Sequence, residues 1–362
     1  MRESTKNLAA LALGLAMAGV LAEATLRTYQ ALVKGVPFFS LLPGYQSSAR
    51  FPLSPFLVFG PRMNEQLTGK RHPETSYFNH QGFRTRDTLG PKPPGQFRII
   101  ALGGSTTVDR SNDEGIHWPL VVEEQLRAAG RTDVRVYNAA MSAYSSAHSL
   151  VRFEFDILQY QPDMILVMHN INDLSVNYYA WQAGRPVDPN YLVKYGSREV
   201  TGVVTEDDIA LSRVWHSIRA RLRDLLRGPQ TTPASDYSID RGRVLFMRNL
   251  RNIVALARAN GVAVVLLTMP MCSDPAVYER TRGDGGEPSL YPGFARFRAD
   301  FDSYNQAIRE VGAEQRVPVI DLHREVAADT AYYLDVVHHT AAGVRAVGRA
   351  AAAGLLPLIA RR

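Results

Sequence analysis

The chain has 362 residues, 46% of them hydrophobic and 21% charged, which is enough for one large core or for a core with a small appendage. Its net charge of +6 comes from 41 Lys+Arg against 35 Asp+Glu, scattered with no basic stripe interleaved with aromatics, and so excludes a nucleic-acid-binding class. The single cysteine, Cys272, excludes an intramolecular disulfide and any zinc site built on cysteines.

At the N-terminus, Arg2 and Lys6 lead into LAALALGLAMAGVLA (8–22), uncharged until Glu23. Continued to Leu26 the stretch counts 19 residues (8 through 26), close to the roughly 20 that span a bilayer. No polar face recurs in it, as a buried amphipathic helix would require. A signal-anchor helix over 1–29 is predicted, making this a single-pass cell-membrane protein whose remainder lies on the extracytoplasmic, periplasmic side. Ala22-Glu23-Ala24 also fits a small-x-small cleavage site, and the alternative is a secreted chain after cleavage there.

Residues 30–96 are rich in proline and turn formers (VPFFSLLPG, FPLSPF, GPKPPG) and show no long helical period. They are expected to form an irregular arm, with Gly82-Phe83-Arg84 packing on the domain that follows. PKPPG (91–95) marks the boundary, because consecutive prolines deny both a helix and a central strand. From 97 to 362 short apolar runs alternate with amphipathic segments. The strands are FRIIAL (97–102), VRVYN (134–138), DMILVM (163–168), VAVVLLT (262–268) and VPVID (317–321), nearly all apolar, as in strands buried on both faces. Helices are predicted at 118–130, 147–160, 242–260, 297–315 and 341–360, with Asn260-Gly261 as a C-cap signal. That alternation predicts right-handed crossovers, a parallel sheet and a three-layer α/β/α sandwich. Residues 175–240, with several Tyr and Trp, the acidic TEDD and the basic SRVWHSIRARLRDLLRG (212–228), are too long for a plain connection and read as an insertion.

Ligands of open parallel sheets bind outside the carboxyl ends of the strands. Gly103-Gly104-Ser105 follows the first strand, NAAMSAYSS (138–146) the second and HNIND (169–173) the third, while LDVVHHT (334–340) lies past the last. The first of these is not a phosphate loop: it lacks the lysine of a P-loop and the third glycine of a dinucleotide fingerprint. It is not a G-x-S-x-G elbow either, since Thr107 stands at the final glycine. Asp335-x-x-His338 supplies what a serine nucleophile needs: an imidazole to take its proton, and a carboxylate to fix the imidazole's tautomer. Three residues apart on a helical turn, the two would share a face. His339 adjoins His338 but has no carboxylate three residues before it. A metal cluster of His338, His339, His148 and His169 has no ligand spacing in its favour. Asp173 reads as a structural carboxylate, Asp109 as a helix cap, and Arg152 and Tyr144 as packing residues.

Together these blocks resemble the SGNH (GDSL-type) esterases and acylhydrolases, particularly their membrane-anchored bacterial members, over about 97–360. GGST (103–106) is similar to the family's serine block and implies Ser105 as nucleophile. NAAMSAYSS resembles the second block and implies the Ala143 N–H as an oxyanion donor; NIND (170–173) resembles the third and implies Asn172 as another. DVVH (335–338) resembles the last and implies Asp335 and His338. The resemblance implies the SGNH fold, with a five-stranded flavodoxin-like sheet. It further implies a Ser105–His338–Asp335 esterase with Ser105, Ala143 and Asn172 forming the oxyanion hole, and no cofactor or metal. The expected substrate is an acyl ester, acetyl or short acyl, on an envelope carbohydrate or lipid. Two departures stand out: Ala143 and Asn170 occupy positions where the family has glycine. They motivate the alternative of an inactive binding module with this fold. The other alternative is an O-acyltransferase, in which the same triad serves a polysaccharide hydroxyl as acceptor instead of water.

Overall fold

The structure, a computed structural model, describes residues 2–34, 38–39, 53–54, 58–60, 63–182, 238–284 and 291–360, with single positions 187, 214, 215, 218 and 222. Most of the insertion expected at 175–240 therefore lies outside the described residues, as does much of the first half of the 30–96 arm. The chain divides into two compact units, Met1–Leu53 with Tyr195–Thr232 and Ser54–Lys194 with Pro233–Arg362.

The first unit contains α1 (Arg2–Lys34), in which Leu11, Leu13, Leu15, Met17, Val20 and Leu21 are all exposed. Its stretch Ala10–Leu32 is long and apolar enough to cross a membrane.

The second unit is built on five parallel strands, β1 (Phe97–Gly103), β2 (Val134–Asn138), β3 (Met164–Met168), β4 (Ala263–Leu267) and β5 (Val319–Ile320), in the order β2-β1-β3-β4-β5. This is the predicted flavodoxin-like order. The register pairs Ile100 with Tyr137 on one side and with Ile165 on the other, so β1 lies centrally and every residue of it but Phe97 is buried. Burial on both faces explains the unbroken apolar runs. β5 is shorter than predicted: at the sheet edge Pro318 contributes only its carbonyl, to the Leu266 N–H.

Two helical layers flank the sheet. α3 (Trp118–Ala128) packs against α10 (Ala341–Ile359), where Gly348 lets the two approach: a Cβ there would lie 3.0 Å from the Trp118 carbonyl oxygen. Opposite them, α4 (Ser146–Arg152), α5 (Ile171–Gln182) and α8 (Phe294–Gln315) pack around α6 (Asp240–Ala259), while α7 (Pro275–Asp284) packs on α8 and the short α9 (Leu322–Glu325) on α10. α6 buries Gly242, Phe246, Leu250, Ile253 and Ala257, a period of three to four residues. It ends where the sequence predicts, with Gly261 at φ +68° and the Val262 N–H bonded to Ala257 O at 2.9 Å. The helix predicted at 147–160 instead widens after Arg152 into a π turn over Phe153–Ile157 that keeps both of those side chains buried.

Phe83 of the Gly82-Phe83-Arg84 segment joins the core of the second unit. Phe83 is fully buried with its ring edge-on to Tyr160, and the buried Arg84 guanidinium donates to the carbonyls of Val108 and Gly115. It thereby fixes the end of α2 (Ser105–Val108), the single helical turn that follows β1.

Candidate active site

Ser105 opens α2 immediately beyond β1, with Gly104 as an extended N-cap. The two glycines are there for space. A Cβ on Gly104 would lie 2.7 Å from Asn172 Nδ2 and 3.0 Å from Tyr144 O, and a Cβ on Gly103 would strike the Thr107 side chain. The β1–α2 turn can therefore touch both the post-β2 loop and the start of α5. Asn172 is pinned in that position by its amide, which donates to Tyr144 O at 2.9 Å.

Ala143 belongs to the post-β2 loop, which runs along the end of β1 through Ala139 N–H to Ala101 O and Met141 N–H to Gly103 O. Its φ is +66°, the left-handed region that a glycine enters freely and an alanine enters at about 1–2 kcal/mol. Asn170 does not substitute for a glycine in this way, for its φ is not positive. Its amide donates instead to Phe301 O (3.0 Å) and Asn305 Oδ1 (3.1 Å), tying the end of β3 to α8.

The Asp335–His338 segment is a tight loop rather than the helical turn expected. Leu334 N–H donates to His338 O, Tyr333 pairs with His339, and Cys272 N–H from the β4 side donates to Val336 O. Within it Asp335 Oδ1 accepts from the backbone N–H groups of Val337 (2.9 Å) and His338 (2.8 Å), while Oδ2 lies 2.6 Å from His338 Nδ1. His338 Nε2 lies 2.8 Å from Ser105 Oγ, across 233 residues of sequence. Burial pushes the Asp335 pKa up, but the bond and charge of His338 and the two backbone donors outweigh it and hold the carboxyl at about 2. Asp335 and His338 are each about one quarter exposed, so the chain of bonds is open to solvent.

The other candidates sit elsewhere. His339 is buried, with Nδ1 3.4 Å from Asp109 Oδ1, and Asp109 also accepts from the Trp118 N–H at the start of α3. That pair ties the end of the serine turn to the residue after His338. Asp173 is fully buried and accepts from the Ser146 backbone and hydroxyl. His148 stacks on Tyr144, and His169 Nε2 contacts Ser149 Oγ at 2.7 Å, with burial pulling the His169 pKa down to about 3. Arg152 is buried against the carbonyls of Ala139 and Gly82.

Ser105, Asn172, Asp335 and His338 border a cavity of about 200 Å³. Its other lining residues among those described are Ile171, Tyr278, Tyr291, Phe297, Val336 and Val337. The aromatic members went unnoticed in the sequence because Tyr291, Phe294, Phe297 and Phe301 repeat at helical spacing, which reads as core.

A parallel sheet of this order, with a serine, an amide and an Asp–His pair at its carboxyl rim, defines a hydrolase of the SGNH fold. Residues 101–346 match the model of the GDSL-like lipase/acylhydrolase family, and the chain belongs to that family. No curated protein matches it at the same stringency as the solved structures. Among those, it is similar to a lipase/acylhydrolase from Enterococcus faecalis (18% identity, 71% of this chain and 94% of that one, TM-score 0.44). It is also similar to a putative GDSL-like lipase from Parabacteroides merdae (17%, 74% and 100%, 0.43). A third is an acetyl xylan esterase from Geobacillus stearothermophilus (13%, 74% and 97%, 0.41).

Proposed function

We propose that this protein is a serine esterase in which Ser105, His338 and Asp335 act as a catalytic triad. The observation that carries the reading is the continuous chain from Asp335 Oδ2 to His338 Nδ1 (2.6 Å) and from His338 Nε2 to Ser105 Oγ (2.8 Å), opening on a cavity. The ionised Asp335 favours the tautomer with the proton on Nδ1 and leaves Nε2 as the base. Ser105 Oγ attacks the ester carbonyl carbon as its proton passes to Nε2. The carbonyl oxygen becomes an oxyanion held by the N–H groups of Ser105 and Ala143 and by the Asn172 amide. Collapse breaks the bond to the alcohol oxygen, which takes the proton from His338. Water, activated by the same imidazole, then releases the carboxylic acid and restores Ser105.

A positively charged start followed by an apolar stretch supports α1 as a signal anchor holding this domain on the extracytoplasmic side of the membrane, near envelope glycans and lipids. In this reading residues 1–29 are the anchor, 30–96 a connecting arm, and 97–362 the hydrolase domain.

The test is covalent labelling with a fluorophosphonate together with turnover of p-nitrophenyl esters. Wild-type protein labels and turns over, and Ser105→Ala abolishes labelling and lowers kcat by on the order of 10⁶-fold. Absence of both in well-folded wild type would show an inert module. Acyl transfer to a glycan hydroxyl outrunning hydrolysis would show a transferase.

A further inference from the structure

Two buried titratable residues flank the triad without joining it. Asp109 closes the turn that Ser105 opens: its N–H donates to Ser105 O at 2.9 Å, and its φ of +51° lies in the left-handed region. His339 directly follows His338. The His339 and Asp109 side chains are 0% and 2% exposed, and Nδ1 of the one lies 3.4 Å from Oδ1 of the other.

The backbone does not require a carboxylate at 109. Glycine or asparagine would enter the left-handed region as readily, and a buried charge is costly unless it is paired. The side-chain contacts do require one. Oδ2 accepts from the Trp118 N–H at 3.2 Å, and Oδ1 faces His339 Nδ1, which carries the proton and donates. Two donors thus meet two acceptor oxygens, where an amide would offer one and a glycine none. The buried Arg84 guanidinium, bonded to the carbonyls of Val108 and Gly115, supplies compensating charge.

The loop that carries His338 needs such a tie. The bonds from Leu334 N–H to His338 O, Thr340 N–H to Tyr332 O and Cys272 N–H to Val336 O set its shape and seat it on the β4 side. None of these three reaches the serine turn, and Asp335 and His338 are themselves about one quarter exposed. The contact between Asp109 and His339 does reach it, four residues past Ser105 and one past His338.

We propose that Asp109 and His339 are positioning residues, whose buried contact holds the His338 imidazole at bonding distance from Ser105. The proposal rests on the serine esterase reading above. Misplacing reacting groups by about 1 Å costs on the order of 100-fold in rate, which sets the scale of the effect.

His339→Leu, which keeps bulk and removes the donor, tests it in the full-length protein with p-nitrophenyl acetate, while circular dichroism and urea denaturation report the fold. Neither residue borders the cavity, so kcat and kcat/KM fall together, by roughly 10- to 100-fold. His339→Asn, whose amide nitrogen stands where Nδ1 stood, recovers most of that loss. In a His338→Ala background no imidazole is left to position, so adding His339→Leu changes the residual rate by less than about two-fold. Wild-type kcat in folded His339→Leu, a rise in KM alone, no recovery in His339→Asn, or an equal loss in the His338→Ala background each overturns the positioning assignment and leaves the esterase reading intact. If His339→Leu does not fold, Asp109→Asn is read in its place with the same losses expected, since asparagine keeps the left-handed turn but offers one acceptor oxygen for two donors. If neither folds, the pair is a folding element and the assignment falls. A folded wild type that neither labels with fluorophosphonate nor turns over any ester overturns both readings.

Discussion

Burial of Asp335 favours its neutral form, yet His338 and two backbone N–H groups reverse that preference and hold the pKa at about 2 against an ordinary 3.8. The folded pKa is the lower one, so the stabilisation is complete above the unfolded value and is lost as pH falls through the folded value. It amounts to ~2 kcal/mol and is about half gone at pH 3. Urea denaturation should therefore show Asp335→Asn less stable than wild type by ~2 kcal/mol above about pH 5, with the gap narrowing in acid. A gap independent of pH would sink this account. The same variant lowers kcat by on the order of 10⁴-fold, because an amide no longer enforces the Nδ1–H tautomer. Ala143 makes a second argument at this scale. Its φ of +66° is relieved in Ala143→Gly, offset in part by the greater freedom of glycine in the unfolded chain. A net gain of ~0.5–1 kcal/mol in thermal or chemical denaturation is expected; a loss of stability would show the backbone there to be unstrained.

Between elements, the β1–α2 turn packs directly on the start of α5, with no room for a side chain at Gly104. Gly104 has a φ of −96°, which any residue can adopt, so Gly104→Ala acts through space: its methyl displaces the Asn172 amide and lies 3.0 Å from Tyr144 O. Removing such a donor costs roughly 10²–10³ in kcat. Gly104→Ala is expected to lose about 10²-fold, and the double variant with Asn172→Ala to be no worse than Asn172→Ala alone. Additive losses in steady-state kinetics would place the effect of Gly104 elsewhere. Much of this geometry was legible as pattern. β1 to β4 declare themselves by apolar runs that only two-sided burial tolerates, and Ser105, Asn172, Asp335 and His338 follow in strand order. The conformation around them was not. Spacing alone made Asp335–His338 a helical turn, because a carboxylate folding back on the N–H groups two and three residues ahead leaves no periodic trace. Asn170 stands where the family has glycine, but its amide is engaged by α8, a contact 131 residues away that no local signal encodes. Phe297 and Tyr278 are almost wholly buried, and that one edge of each also faces the cavity is a tertiary fact.

For the molecule as a whole, two helices among the described residues are long and apolar enough to cross a membrane, and burial separates them. Ala341–Ile359 (α10) is 44% buried over the tested stretch, with Gly348 seated against α3, so its apolar side is already used within the domain. Ala10–Leu32 is 6% buried and presents leucines, a methionine and a valine outward over more than 20 residues, about 30 Å of helix rise and one bilayer core. The two charged residues within it, Glu23 and Arg27, pair with each other at 2.6 Å, so neither stands as a lone charge. Expressed in a bacterial host, the full chain is expected in the membrane fraction after alkaline carbonate washing, with an intact mass that includes residues 1–24. Leu15→Arg with Gly19→Arg places two charges at mid-helix, at ~2.5–3.5 kcal/mol each on insertion scales. That variant should leave the membrane fraction. A wild-type chain that begins at Thr25 and is recovered in soluble form would instead make Ala22-Glu23-Ala24 a cleavage site and α1 a signal sequence removed on export.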